Sequence, residues 1–562
     1  MQTLQLVRAA GIGKIATAIG CSILTLSLSL YIIPNAWAIQ LVKYFGTWAI
    51  LITFCLFLFA LRRPLTQWIQ RGAFKGGWAQ LPALLTILAA TLYLHLHVDR
   101  GFKILYDEHA ISSTAMSIYF EQQAYVQTAA HILDGATINS VGFVDKRPIF
   151  FPFLLSLVHQ LSGFRPQNVF WLDSALSGLL LCLLYAIAHT ACGRRGGILA
   201  VLLLTGLPLL AQNATGGGYE VLNLCLIAAL LLTGFRYMQS RGSHGLNLMI
   251  LTAILLANNR YESVLYVSVP LLLLLLKSWR EKRIALTWFS ACSPLFLTLP
   301  LLSFAVFQAD TRFFQTSKEN FLGAEHRPAN LAHAGAYLFD WSGDYSNSVL
   351  LSSGGILCLL ALLCIAARQL PQLLKKDTHL TVSLTVFVVV AVNTGLALSS
   401  FWGQWTDPTT TRFSLPLQLF MAFAVPFALQ YGLTLKQPPR WALVLSAAFI
   451  PLVCSPHSMR LNQEVRLPNA RASHWVIDWV GSQGEKSNDF IIADACIGLV
   501  LHRHAAAPIA YANQYTAQIK NIQRLQLYEN IFVVERFHHN RNGPQARASQ
   551  IGGQYVIQNA VC

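Results

Sequence analysis

The sequence predicts an α-helical polytopic membrane protein of about 13 transmembrane helices, with a small C-terminal α/β domain outside the bilayer. Three observations predict it. The chain is 54% hydrophobic and only 11% charged over 562 residues, less than half the roughly 25% charge of a soluble domain. Its apolar residues fall in runs that approach or reach the roughly 17–25 residues a bilayer requires. The remaining charges are sorted by side of the membrane rather than scattered.

The runs lie at 15–34, 44–61, 81–98, 168–190, 196–212, 219–235, 245–258, 261–276, 285–306, 349–367, 380–400, 413–431 and 441–455. With the N-terminus cytoplasmic, the inner segments hold Arg62, Arg63, Arg194, Arg195, Lys277, Arg280, Lys282, Arg283, Lys375 and Lys376, with Glu281 and Asp377 as the only acids there. That is the positive-inside distribution. It explains the formal net charge of +16 by membrane orientation and removes the need for a nucleic-acid partner. The expected location is a bacterial inner membrane, with the C-terminus extracytoplasmic.

Three parts follow. Residues 1–80 form two N-terminal transmembrane helices and a cytoplasmic loop. Residues 81–456 form the main membrane body, with outer loops at 99–168 and 308–347. Residues 457–562 form the extracytoplasmic domain, whose pattern reads helix (469–480), strand (490–493), helix (516–527), strand (531–534) and strand (555–557). Within the first outer loop, 115–133 has helical periodicity. The apolar segment 150–161 is too short to span and is expected to lie in the outer interface; counted as a span, it would move the basic clusters at 277–283 and 375–376 to the outside. Cys496 and Cys562 both fall in the external tail, where oxidation is permitted, and a disulfide between them is an expectation.

The residues suited to chemistry are concentrated in the first outer loop. Directly after the third run comes Tyr106-Asp107-Glu108-His109. A partly desolvated carboxylate there can take a proton from an acceptor hydroxyl or hold a divalent cation. The alternative is that Asp107 and Glu108 only complement the dipole of a helix N-terminus. Asp145-Lys146-Arg147-Pro148 then brings two cations to the membrane surface, where they suit the phosphate of a lipid carrier; attraction to lipid headgroups is the alternative.

An acidic pair after an early span, followed by DKRPIFFPFLLSLVHQLSGF, resembles the first outer loop of GT-C glycosyltransferases of the protein-mannosyltransferase and aminoarabinose-transferase type. Their usual form is an acidic pair, then K-P-P-L and an apolar helix. The resemblance covers 81 to about 430 and takes in Glu220 in GGGYEVLNL and the segment TRFSLPLQLF, similar to the family's R-Y-x-L-P. It implies a GT-C-like membrane body and roles for individual residues. Asp107 would be the essential carboxylate with Glu108 beside it, Lys146, Arg147 and Arg412 would hold the donor phosphate, and Glu220 would be a second acid serving the acceptor or a metal. In NNRYES, Arg260 and Glu262 either complete the polar cavity or form a structural ion pair. Three features depart from the pattern: two extra spans precede the body, Arg147 replaces the first proline of K-P-P-L, and Glu121 to Tyr125 offers a competing acidic start.

The implied activity is inverting transfer of a sugar from a polyprenyl-phosphate donor to a glycan, lipid or protein acceptor outside the cytoplasm. No cofactor is required by the motifs, and a divalent cation remains compatible with them. Two other classes fit the same sequence. One is a lipid or solute transporter, which would also place charges inside a multi-span bundle. The other is a non-catalytic membrane assembly protein that binds partners through its tail.

Overall fold

In a bilayer the backbone of an apolar run can satisfy its hydrogen bonds only within itself, as a helix, or in a closed barrel. In the computed structural model of the chain these runs are helices. The structure describes residues 11–70, 80–103, 105–133, 136–240, 243, 245–309, 323–431, 437–464, 468–482, 489–514, 516–536, 550–551 and 555–559. Among them, ten helices are long and apolar enough to cross a membrane: Ile12–Ile32, Asn35–Pro64, Asn168–Thr205, Glu220–Gln239, Glu262–Glu281, Trp288–Phe307, Val349–Arg368, Thr378–Leu398, Thr411–Tyr431 and Arg440–Leu461. Leu81–Leu96, Phe150–Ser162 and Leu246–Ala257 are shorter apolar helices. The protein is an integral multi-pass membrane protein.

The runs expected at 168–190 and 196–212 are the two arms of Asn168–Thr205, which breaks at Gly193 (φ 73°, ψ −179°). Only glycine takes such a φ without a Cβ clash, and Arg194 and Arg195 follow directly. The runs at 81–98 and 245–258 are the short helices Leu81–Leu96 and Leu246–Ala257. In the second long loop, 310–322 lies outside the described residues and His326–Leu338 is a helix.

The chain divides into two compact units. The first comprises Met1–Gly101, Lys146–Phe151 and Phe170–Val465 and holds the ten long helices apart from the first two residues of Asn168–Thr205. Burial separates its centre from its rim. The apolar window of Glu220–Gln239 is 83% buried by protein, against 11% for Ile12–Ile32, so the former is the core of the bundle and the latter faces lipid. Every described side chain from Leu246 to Ala257 except Asn247 and Ile250 is also buried.

Lys277, counted above among the inner basic residues, has a structural task at one end of this core. Its Nζ donates to the carbonyls of Tyr237 (2.5 Å) and Ser240 (2.8 Å) and lies 4.1 Å from the centre of the Tyr237 ring. These carbonyls lie at the C-terminal end of the helix Glu220–Gln239, where the last carbonyls lack intrahelical N–H donors, and a cation there also complements the helix dipole. Lys277→Met should therefore cost about 1.5–3 kcal/mol, the range for hydrogen bonds to a charged group, measured as unfolding by SDS in mixed micelles.

The second unit comprises Phe102–Asp145, Pro152–Val169 and Arg466–Cys562. Its centre is a seven-stranded sheet: β1 (Val126–Leu133), β2 (Ala136–Phe143), β3 (Asp489–Ala493), β4 (Ala505–Ala507), β5 (Asn530–Arg536), β6 (Gln550–Ile551) and β7 (Tyr555–Asn559), in the order β2-β1-β4-β3-β5-β7-β6. β3 pairs in parallel with β4 and β5 and is buried along its whole length, as a central parallel strand must be. The helices Pro468–Ser482 and Thr516–Arg524 and the strands β3, β5 and β7 match the elements read from the tail.

Two features differ from the reading. The helix expected over 115–133 begins earlier, at Leu105, and ends at Glu121. Gln122 then turns left-handed (φ 59°), and 126–133 continues as β1. The β1–β2 hairpin extends the tail's own sheet through Ala130 opposite Ala506, so the first long loop and the C-terminal segment share one sheet. The pairing expected between Cys496 and Cys562 involves a residue outside those described; Cys496 itself is buried, which pushes its thiol up to about 12.

Candidate active site

Glu220 opens the most buried helix of the first unit and is 2% exposed. An unpaired carboxylate at such a place would be costly, and two arginines from distant segments answer it. Arg412 Nη1 lies 2.9 Å from Glu220 Oε1 and Arg260 Nη1 lies 3.5 Å from the same oxygen. Arg260 also forms an ion pair through Nε with Glu262 Oε1. Its guanidinium lies 5.0 Å from the ring centre of Tyr219 and 4.9 Å from that of Phe413, and both aromatic contacts favour the cation. Glu220 Oε2 is buried and has no hydrogen-bond partner among the described residues.

The local backbone explains how these groups meet. Arg412 sits in the 3₁₀ turn Thr411–Ser414 that leads into the helix Leu415–Tyr431. Arg260 sits in the break between Leu246–Ala257 and Glu262–Val267. Asn259 ties that break to the start of the central helix by donating its Nδ2 to the Tyr219 carbonyl at 3.1 Å, and Ser263 donates to Asn223 Oδ1 at 2.8 Å. Lys146 and Arg147 join the same neighbourhood. The Arg147 charge acts on the hydroxyls of both Tyr219 and Tyr261. Lys146 Nζ lies 5.6 Å from the ring centre of Phe307, which stacks on Tyr261 at 5.0 Å. The backbone N of Phe150 donates to the Asn258 carbonyl at 3.0 Å and so holds the end of this segment against the break.

Of the residues singled out from the sequence, Glu220, Arg260, Glu262 and Arg412 are therefore brought together, Arg260 and Glu262 are an ion pair, and Arg147 and Lys146 reach the cluster only through Tyr219, Tyr261 and Phe307. Tyr219, Asn259 and Phe413 belong to the same cluster and were missed. Their only sequence signal is that each is the chain neighbour of a charged residue. Asp173 was also passed over. It is fully buried within a membrane-length helix, where an ionisable residue marks a place of interest.

The remaining acids belong to the second unit. Asp107 and Glu108 lie in the first turn of the helix Leu105–Glu121, the geometry of the helix-dipole alternative. They differ in environment. Glu108 is 2% exposed, and its Oε2 accepts from the backbone N of Lys103 at 2.5 Å; Asp107 is half-buried. Glu121 ends that helix and accepts from the Tyr125 hydroxyl at 2.7 Å and from Gln127 Nε2 at 3.3 Å, contacts that shape the turn into β1. Among the described residues, no group of three or more His, Cys, Asp or Glu side chains is placed to hold a metal ion.

Residues 146–304 match the family model described as dolichyl-phosphate-mannose-protein mannosyltransferase. The matched segment includes Lys146, Arg147, Glu220, Arg260 and Glu262. No curated protein matches the chain. Among solved structures, ArnT from Cupriavidus metallidurans bound to undecaprenyl phosphate aligns over 86% of this chain and 98% of its own, with a TM-score of 0.50 and 12% identity. The chain has a GT-C fold. The archaeal oligosaccharyltransferase AglB from Archaeoglobus fulgidus, in complex with an inhibitory peptide and a dolichol-phosphate, aligns over 82% of this chain and 70% of its own, at a TM-score of 0.42 and 10% identity.

Proposed function

We propose that this protein is an inverting glycosyltransferase that moves a sugar from a polyprenyl-phosphate donor to a glycan, lipid or protein acceptor on the extracytoplasmic side. The observation that carries the reading is the buried meeting of Arg412 and Arg260 on Glu220, with the Arg147 charge close enough to act on the neighbouring Tyr219. Phosphate as a leaving group needs preorganised cations in a place of low dielectric, and guanidinium groups suit its oxygens best. The GT-C fold shared with a protein crystallised with undecaprenyl phosphate supports the same donor class. The sorting of basic residues supports an extracytoplasmic site.

In this mechanism the Asp107 carboxylate accepts the proton of the acceptor hydroxyl. The freed oxygen attacks the anomeric carbon from the face opposite the phosphate, the bond from that carbon to the phosphate oxygen breaks, and the polyprenyl phosphate leaves with the electron pair. Arg412, Lys146 and Arg147 stabilise the charge that develops on it. Glu220 holds Arg412 in place and presents its second oxygen to the acceptor or to a cation. Glu108, committed to Lys103, orders the loop on which Asp107 stands.

The test is incubation of the purified protein with undecaprenyl phosphate carrying radiolabelled glucose, mannose or aminoarabinose, with and without a crude envelope extract as acceptor. Label should leave the lipid fraction for at least one sugar. Lipid-bound label that stays constant for every sugar, with extract present, would overturn the reading.

A further inference from the structure

The loop that carries the proposed base is held from behind by the C-terminal segment. Phe102 and Lys103 precede the helix Leu105–Glu121 and are 4% and 5% exposed. One residue before the Lys103 to Glu108 hydrogen bond, the Phe102 carbonyl accepts from His474 Nε2 at 2.9 Å. A carbonyl can only accept, so the proton on this ring nitrogen is assigned by its partner. His474 belongs to the helix Pro468–Ser482, far along the chain. The Phe102 ring lies against His109 with centroids 4.3 Å apart, and the His474 ring stands 6.5 Å from both.

The other side of His109 is closed by the helix Cys496–Leu501. A Cβ added to Gly498 would stand 3.2 Å from His109 Cδ2 and 2.9 Å from Ile477 Cδ1, so any side chain there would have to push both His109 and the end of Ile477 away. Behind these contacts Ala110 and Met116 share one apolar core with Val476, Ile477, Ile497 and Leu499. Asp107 thus stands between Phe102 and His109, each of which is held by residues of the C-terminal segment.

We infer that the C-terminal segment is the positioning element of the catalytic loop, with His474 and Gly498 setting the place of Asp107 through Phe102 and His109. The inference rests on the reading of Asp107 as the base. Packing alone asks only for apolar side chains, and the core beside this contact is built of them. A directed donor from His474 to one loop carbonyl adds what packing does not, a defined position for the backbone that leads into Asp107. A general base works only within hydrogen-bond reach of its proton, and a displacement of about 1 Å costs on the order of a hundredfold in rate.

The experiment uses the full-length protein in detergent and compares His474→Phe, His474→Gln and Gly498→Ala. The glutamine amide nitrogen takes the place of the ring Nε2 as donor, so His474→Gln is the rescue. Two readouts are taken: hydrogen exchange of the peptide 103–112 against that of strands β3 and β5, and turnover of undecaprenyl phosphate carrying the labelled sugar. His474→Phe and Gly498→Ala should speed exchange at 103–112 while the two strands stay protected. They should lower kcat by about ten- to a hundredfold with KM within about twofold, and His474→Gln should stay close to wild type in both readouts. Wild-type exchange at 103–112 in both disruptive variants overturns the inference, and so does faster exchange with unchanged kcat. Turnover that survives Asp107→Asn overturns the base assignment alone, because exchange reports the hold on the loop without any substrate.

Discussion

Arg412→Leu should abolish sugar transfer and lower the stability of the membrane body by about 3 kcal/mol. Removing one partner of a buried ion pair costs about 3–5 kcal/mol, because the remaining charge is left uncompensated. The lower end applies here, since Arg260 stays 3.5 Å from the same Glu220 oxygen. Stability is read from SDS unfolding in mixed micelles and transfer from the loss of label from the lipid. The double variant Glu220→Gln with Arg412→Leu separates the two effects: neutralising the carboxylate should restore most of the stability and none of the transfer. Transfer that returns with stability would make Arg412 a structural partner of Glu220 and remove it from the phosphate site.

Asp107→Asn should reduce turnover by about 10²–10⁴, the contribution of a positioned general base, while stability changes by less than about 1 kcal/mol. The substitution keeps the shape of a half-buried side chain and removes a helix-dipole interaction worth about 0.3–1 kcal/mol. Glu121→Gln should behave in the opposite way. Its carboxylate accepts from Tyr125 and Gln127 at the turn into β1, so the loss should be about 1 kcal/mol of stability with turnover unchanged. A Glu121→Gln protein that is stable but inactive, beside an active Asp107→Asn, would reverse the choice between the two acidic starts. Both variants are followed in the same lipid-label assay, with thermal unfolding in detergent as the control.

The helices were legible because each run must satisfy its own backbone in lipid, a local rule that leaves its mark in composition. Arg194 and Arg195 marked the interruption between two arms for the same local reason. The hairpin 126–143 was not legible in the same way. Its strands contain the alanines, threonine and histidine that a helix also accepts, and their partner strand, around Ala506, lies far along the chain. At the site, charged residues beside apolar runs drew attention to Glu220, Arg260 and Arg412, whereas Tyr219 and Phe413 look like ordinary membrane aromatics until a guanidinium is found over them.

Composition and charge order alone determined that this is a multi-pass membrane protein, roughly where its apolar helices lie, and that its acids and phosphate-suited cations cluster at loops. Only the tertiary structure decided that Arg260 and Arg412, 40 and 192 residues from Glu220, close on one carboxylate oxygen, and that the C-terminal segment grips the loop before Asp107. The physical reason is the reach of the interactions. Backbone hydrogen bonding and lipid transfer act within a run and can be read along the chain, whereas a buried ion pair depends on which helix ends pack together, and that is set by the whole core.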